Sequence, residues 1–173
     1  MIWLFGAVGA SALALLGGGV LARNRITALR QRVENARGQI DVQLVRRHAL
    51  VPALVETVKG ALAHERAALE ALVAARGEAE RMLHQEIERS VVAETNLELS
   101  LGTVMAAAQT APELRAIASL EALQEELRSS ENRIAFARQH YNDTAAQLNA
   151  AIAGFPGSLV AGGAAPATFW RAP

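Results

Sequence analysis

The chain opens with an uncharged apolar stretch and then repeats apolar positions at helical spacing almost to its end. Residues 1–22 carry no charged side chain, and about 20 apolar residues are enough to span a bilayer core as a helix. Beyond them, apolar residues recur every three or four positions, which is the period of one helical face. The first series comprises Ile26, Leu29, Val33, Ala36, Ile40 and Leu44. The pattern therefore predicts a membrane helix that leads into a helical domain.

Pro52 falls inside this pattern. Proline has no backbone N–H to donate and its ring crowds the preceding turn, so we expect a kink or a turn near His48–Val51. The helical period resumes at Leu54 and persists, with some weakening, as far as Met105. The sequence thus predicts further helices after the interruption.

The clearest periodicity follows a start signal at Thr110. Thr110 can cap a helix, Pro112 is tolerated in its first turn, and Glu113 completes a capping box. The apolar stripe that follows consists of Leu120, Leu123, Leu127, Ser130, Ile134, Ala137, Tyr141, Leu148 and Ile152. A helix over 113–153 would be roughly 60 Å long at 1.5 Å per residue. Such a length suits an antiparallel bundle, or a subunit that packs on copies of itself.

These patterns predict an all-α protein in three parts. The parts are a single N-terminal transmembrane helix over 1–22, an elongated antiparallel bundle of long helices over 23–155, and an irregular tail over 156–173. The tail contains Gly, Ala and Pro without a period. It is expected either to dock or to be disordered. The side chains that would dock it are Leu159, Phe169 and Trp170.

The residues around the first apolar segment favour an uncleaved anchor over a signal peptide. Val20-Leu21-Ala22 would pass as a cleavage site, but no positive region precedes the apolar run. Basic residues follow it instead, with no acid before Glu34, and they are Arg23, Arg25, Arg30 and Arg32. The positive-inside rule then places the N-terminus outside and residues 23–173 in the cytoplasm.

Two sets of residues are candidate contact sites. Small residues recur every four positions within the anchor, which would let two membrane helices approach closely, and they are Gly6, Ala10, Ala14 and Gly18. Chance also explains such a stripe, because half of the first 22 residues are Gly, Ala or Ser. The second set would attract anionic lipid head groups, or would merely fix the topology. It consists of Arg23, Arg25, Arg30 and Arg32.

Composition narrows the possible chemistry. The formal net charge is zero, so nothing indicates nucleic-acid binding, and the absence of Cys excludes disulfides and thiolate chemistry. His64-Glu65 lacks the second His of a zinc-binding helix. Glu80 and His84 do not make the Glu-x-x-His pairs that a di-iron bundle needs. We therefore expect no catalytic residue, no metal and no cofactor.

Two blocks of the sequence resemble the signature blocks of the LemA family of bacterial membrane proteins. They read RNRITALRQRVENARGQIDVQLVRRHALVPALVETVKGALAHE and SSENRIAFARQHYNDTAAQLNAAIAGFP. The resemblance runs from about Arg23 to Val160 and implies a long helical bundle at the bacterial inner membrane, without an established enzymatic activity. Glu131-Asn132-Arg133, in the second block, is expected to fix helix register through hydrogen bonds. Ala49 and Ala53 depart from the polar residues frequent in the family, which counts against a shared polar site around Pro52.

Three functions are compatible with these features. The favoured one is a membrane-anchored scaffold that forms homo-oligomers and organises or remodels the envelope membrane, in contact with anionic lipids. The second is a non-catalytic adaptor for another membrane protein, such as a protease or transporter, with the long last helix as its docking face. The third is a metal-bundle enzyme, which the missing ligand pairs make improbable.

Overall fold

The computed structural model describes residues 2–114 and 117–171, with side chains from Gly17 onward, and its regular elements are all helical. The α-helices are α1 (Ile2–Val58), α2 (Arg66–Met82), α3 (Ile87–Thr110), α4 (Ala118–Ala153) and the short α5 (Gly157–Val160). Turns of 3₁₀-helix precede α2 at Ala63–Glu65 and α4 at Pro112–Leu114. The all-α part of the predicted fold is confirmed.

The predicted membrane helix is not supported. Among the described residues, no helix combines the length and the apolar character needed to cross a membrane. The described side chains of α1 begin at Gly17, and the 18-residue stretch from there already contains four arginines and Glu34, too much charge for a bilayer core. This finding contradicts the single-pass anchor over 1–22 and, with it, the expected inner-membrane location with an outside N-terminus.

The helices divide between two compact units. Unit 2 comprises Gly38–Gln139 and the residues from Trp170 onward. Its apolar core draws buried side chains from α1, α2, α3 and α4, among them Leu54, Leu72, Leu97, Val104 and Leu127. Helices α1 and α2 are antiparallel, because the chain moves back along α1 as it follows α2. Arg76 of α2 contacts His48 of α1, and His84, two residues beyond the end of α2, contacts the earlier Asp41.

Unit 1 comprises Met1–Arg37 and His140–Phe169. Ile26 and Leu29 of α1 are buried in it, as are Tyr141 and Leu148 of α4. Two hydrogen-bonded contacts hold the C-terminal segment. The Tyr141 hydroxyl donates to the Thr168 carbonyl at 2.8 Å, and the Asn149 amide exchanges two hydrogen bonds with the backbone of Ala167. Of the three predicted docking side chains, Trp170 is buried, Phe169 is half-buried and Leu159 is exposed.

Helix α1 continues through Pro52, so the predicted turn near His48–Val51 is wrong, whereas the alternative of a kink stays a prediction. A helix normally needs the N–H of residue 52 to satisfy the carbonyl of residue 48. Here the Arg76 guanidinium supplies that donor instead, with its Nε 2.9 Å from the His48 oxygen. A side chain of α2 thus replaces the hydrogen bond that proline removes.

The predicted start of the last long helix is also wrong. Thr110 is the last residue of α3, and its hydroxyl donates to the Ala107 carbonyl at 2.8 Å instead of capping a new helix. Because that hydroxyl is engaged within α3, the capping box does not form, and α4 begins at Ala118 after the turn at Pro112–Leu114. The 36 residues of α4 correspond to a length of about 54 Å.

The buried stripe of α4 yields a first prediction. Leu127 lies in the unit 2 core, whereas Arg128 is exposed and pairs with Glu125. Leu127→Ala should lower the free energy of unfolding by about 2–5 kcal/mol because it leaves a cavity. Arg128→Ala should change it by only about 0.5 kcal/mol. Urea unfolding of both variants measures the difference, and equal small changes would show that the stripe is not a packed core.

The contact at Pro52 yields a second prediction. Arg76→Met should cost about 1–3 kcal/mol in the wild-type chain, because the His48 carbonyl loses its donor. In a Pro52→Ala background the same change should cost less, since residue 52 then offers its own N–H. A double-mutant cycle from urea unfolding gives the coupling.

Arg81 is the matched control for that cycle, because its guanidinium pairs with Glu78 on the exposed surface of the same helix. Arg81→Met should show no coupling to Pro52→Ala. If Arg76→Met costs the same in both backgrounds, then Arg76 does not replace the missing hydrogen bond.

Candidate functional site

A cluster of charged side chains lies inside unit 2, and we call it the Arg47 network. Arg47 on α1 forms ion pairs with Glu94 on α3 and, at 2.6 Å, with Glu131 on α4. His48 donates from Nε2 to the other oxygen of Glu94 at 2.8 Å. The network therefore connects three helices through side chains of opposite charge.

The helical period explains why these charges are buried. Arg47 occupies a stripe position of α1 between Leu44 and Val51, and Glu94 lies between Val91 and Leu97 on α3. Arg47, His48 and Glu94 are at most 2% exposed. A charge so deep in a core is tolerated only when it is paired and hydrogen-bonded. The burial of Arg47 on α1 and of Glu94 on α3 therefore requires a register of the two helices in which these side chains meet.

Electrostatics favours the charged state of the network. Burial alone would raise the pKa of Glu94, but the hydrogen bond from His48 and the charge of Arg47 outweigh it. The pKa of Glu94 therefore lies below its ordinary value of 4.5. Burial would likewise lower the pKa of Arg47, but the carboxylates of Glu131 and Glu94 hold it above the ordinary value. Both groups stay ionised at neutral pH.

Arg138 on α4 lies in the field of this network. Burial is the largest cause that lowers the pKa of Arg138, and the positive charge of Arg47 lowers it further, while three carboxylates oppose the shift only in part.

The sequence predicted that Glu131-Asn132-Arg133 fixes the helix register through hydrogen bonds, and of these residues only Glu131 takes part in the Arg47 network. Asn132 and Arg133 are exposed.

The geometry of the network suits support better than chemistry. Its three innermost side chains are closed off from solvent and bond to one another. No set of three or more His, Cys, Asp or Glu side chains within the described part of the chain is placed to hold a metal ion. The arrangement can fix α1, α3 and α4 against one another, and it offers a substrate no access.

An open apolar groove in unit 1 is the better candidate for a binding surface. It encloses about 580 Å³ between α1 and the end of α4. Its lining residues, which define the unit 1 groove, are Gly18, Leu21, Ala22, Arg25, Gln147, Ala150, Ala151, Gly154, Phe155, Pro156 and Gly157. Leu21 is 71% exposed and Phe155 is 75% exposed at its edges. Large apolar side chains are thus presented to solvent beside a wall of small ones.

Small residues make this groove possible. A Cβ added at Gly157 would lie 1.9 Å from the Ala151 carbonyl oxygen, so only glycine lets the chain turn back this closely against α4. At Gly18 an added Cβ would meet nothing within 4 Å, so that side of the groove is open.

Some of the predicted site residues have side chains that the structure describes, and others do not. Gly6, Ala10 and Ala14 lie outside the residues whose side chains are described, whereas Gly18 lines the unit 1 groove. All four predicted head-group arginines are exposed, and of these Arg25 lines the groove. The others are Arg23, Arg30 and Arg32. Their proposed contacts, with lipid head groups and between membrane helices, stay predictions.

Helices held together by a buried ion-pair network define an all-α helical-bundle protein. The chain belongs to the LemA family, because the family's sequence model matches residues 36–171. This confirms the resemblance found in the sequence. A comparison with curated proteins finds no match.

The Arg47 network yields a third prediction. Because the pKa of folded Glu94 lies below its ordinary value, its contribution to stability is present above about pH 4.5. It is lost as the pH falls from there through the folded pKa. Glu94→Gln should therefore cost about 3–5 kcal/mol at pH 7 and flatten the acid limb of the stability profile. Urea unfolding between pH 3 and pH 7, about the range in which carboxylates titrate, measures both effects.

Glu126→Gln is the control, since Glu126 is exposed on α4. It should leave the stability at pH 7 and the acid limb as they are in the wild-type chain. An acid limb that stays unchanged in Glu94→Gln would mean that Glu94 is not linked to folding.

Proposed function

We propose that this LemA family chain is a non-catalytic helical scaffold that self-assembles and acts by binding protein chains. The observation that carries the proposal is the unit 1 groove, where the apolar side chains of Leu21 and Phe155 are exposed. Contiguous apolar surface of this kind is typical of an interaction site.

Burial of these side chains would provide the driving force. Removing a Leu or Phe side chain from water contributes about 1.5–3 kcal/mol. Val20 and Leu159 belong to the same unit and are also mostly exposed. Since folding leaves this apolar area exposed, the stabilisation is available to association with another chain.

The groove lining favours binding over catalysis. Among the lining residues that the structure describes, Arg25 is the one charged side chain and Gln147 is the one polar side chain. General acid–base or nucleophilic chemistry needs a side chain that can exchange a proton or attack the substrate, and a guanidinium that stays protonated does neither. In the Arg47 network, Arg47 and Glu94 are buried and paired with each other.

A fourth prediction tests the proposal. The purified full-length chain should sediment as an assembly of several 18.3 kDa chains. Leu21→Gln and Phe155→Gln together should shift it towards a single chain, because they remove the apolar contact. Analytical ultracentrifugation over a range of concentrations measures the mass.

Phe136→Gln is the matched control, since Phe136 is as exposed as Phe155 but lies on α4 in unit 2. It should leave the assembly mass unchanged. A wild-type chain that remains single at every concentration would contradict self-assembly, and an adaptor for a different protein would then be the better proposal.

A further inference from the structure

The charges of the neutral chain are divided unequally between the two units. Unit 1 carries five arginines against two acids, Glu34 and Asp143, which gives it a net charge of +3. The chain as a whole has zero net charge, so the residues of unit 2 carry −3. Surfaces of opposite net charge attract one another when two copies of the chain meet.

Unit 2 carries a second groove, and it is edged with acids. It encloses about 480 Å³ between α2 and α3. Its lining residues, which define the unit 2 groove, are Glu78, Met82, Glu88, Arg89, Val92, Ala93 and Asn96. Arg89 lies 3.6 Å from Glu86, and Glu78 pairs with Arg81. Glu88 is exposed and forms no ion pair within the described residues.

The two grooves present matching side chains at the same spacing. In the unit 1 groove, Leu21 is followed one turn later by Arg25, and both are exposed. In the unit 2 groove, the exposed Val92 is preceded one turn earlier by Glu88. Four residues of helix rise about 6 Å. Two such turns that approach antiparallel therefore set apolar against apolar and base against acid.

We propose that a second copy of this chain docks at the unit 2 groove through its own unit 1 groove. Leu21 of one copy packs on Val92 of the next, and Arg25 pairs with Glu88. The inference rests on the proposed self-assembly and specifies its contact. Because the two surfaces differ, the contact is heterologous and repeats from copy to copy, as a ring or as a filament.

A charge exchange tests the pair. Arg25→Glu and Glu88→Arg, each alone, should weaken self-association by about tenfold or more, because like charges then face each other. The double variant carrying both changes should regain most of the lost association, since acid and base again face each other. Sedimentation of the full-length chain at low salt measures the dissociation constants, and added salt should weaken the wild-type assembly.

Matched variants exclude a general effect of net charge. Arg23→Glu and Glu126→Arg make the same charge changes at exposed positions outside the two grooves. They should alter the dissociation constant far less than the groove variants do. All five variants should keep the helical circular dichroism of the wild type, because every substituted position is exposed.

The outcomes separate this contact from the proposed function. If the wild type assembles but the double variant stays as weak as the single ones, the Arg25–Glu88 pair is wrong while self-assembly stands. If the wild type never assembles, both proposals fail. A third outcome would overturn the docking proposal. Vesicles of anionic lipid would bind the wild type, and Arg25→Glu would abolish that binding but leave the assembly mass unchanged. The unit 1 groove would then face lipid.

Discussion

The ion pair between Arg47 and Glu94 is the constraint on which the arrangement of unit 2 depends. Two opposite charges at stripe positions of α1 and α3 can be buried only together, because either one alone would carry a large desolvation cost. His48 and Glu131 bond to the same pair and extend the requirement to α4. Sliding one helix along another would break the pair and leave a buried charge without its partner. The network thus selects one register for three helices.

A contact near the Arg47 network keeps α1 continuous through Pro52. Pro52, one turn after His48, has no N–H to donate to the His48 carbonyl, and Arg76 of α2 supplies the donor instead. The side chain of His48 bonds to α3 while its backbone bonds to α2. One residue therefore joins α1 to two neighbours, and the position where the chain would most easily bend is held by tertiary contacts.

The sequence predicted the features that follow from the spacing of apolar residues, and it missed those that depend on hydrogen bonds and ion pairs formed in the folded chain. The helical class and buried positions such as Ile40, Leu127 and Ile134 followed from apolar spacing and are confirmed. The turn at Pro52 and the cap at Thr110 were wrong because a tertiary donor and a hydrogen bond within α3 overrode local preference. The Arg47 network was missed, although its signal was readable: opposite charges stand at stripe positions of two predicted helices. The unit 1 groove depends on how α1 and α4 meet, which spacing alone does not fix.

The contrast between the paired charges in the core of unit 2 and the exposed apolar side chains of the two grooves supports the proposed role of this LemA family chain in assembly. In unit 2, Arg47 forms ion pairs with Glu94 and Glu131. On the surface, Leu21 and Phe155 in unit 1 and Val92 in unit 2 are left exposed beside concave walls. In the part of the chain that the structure describes, the buried charges are paired, and each unit has a groove of its own with exposed apolar side chains. These side chains are the surface that the proposed docking would bury.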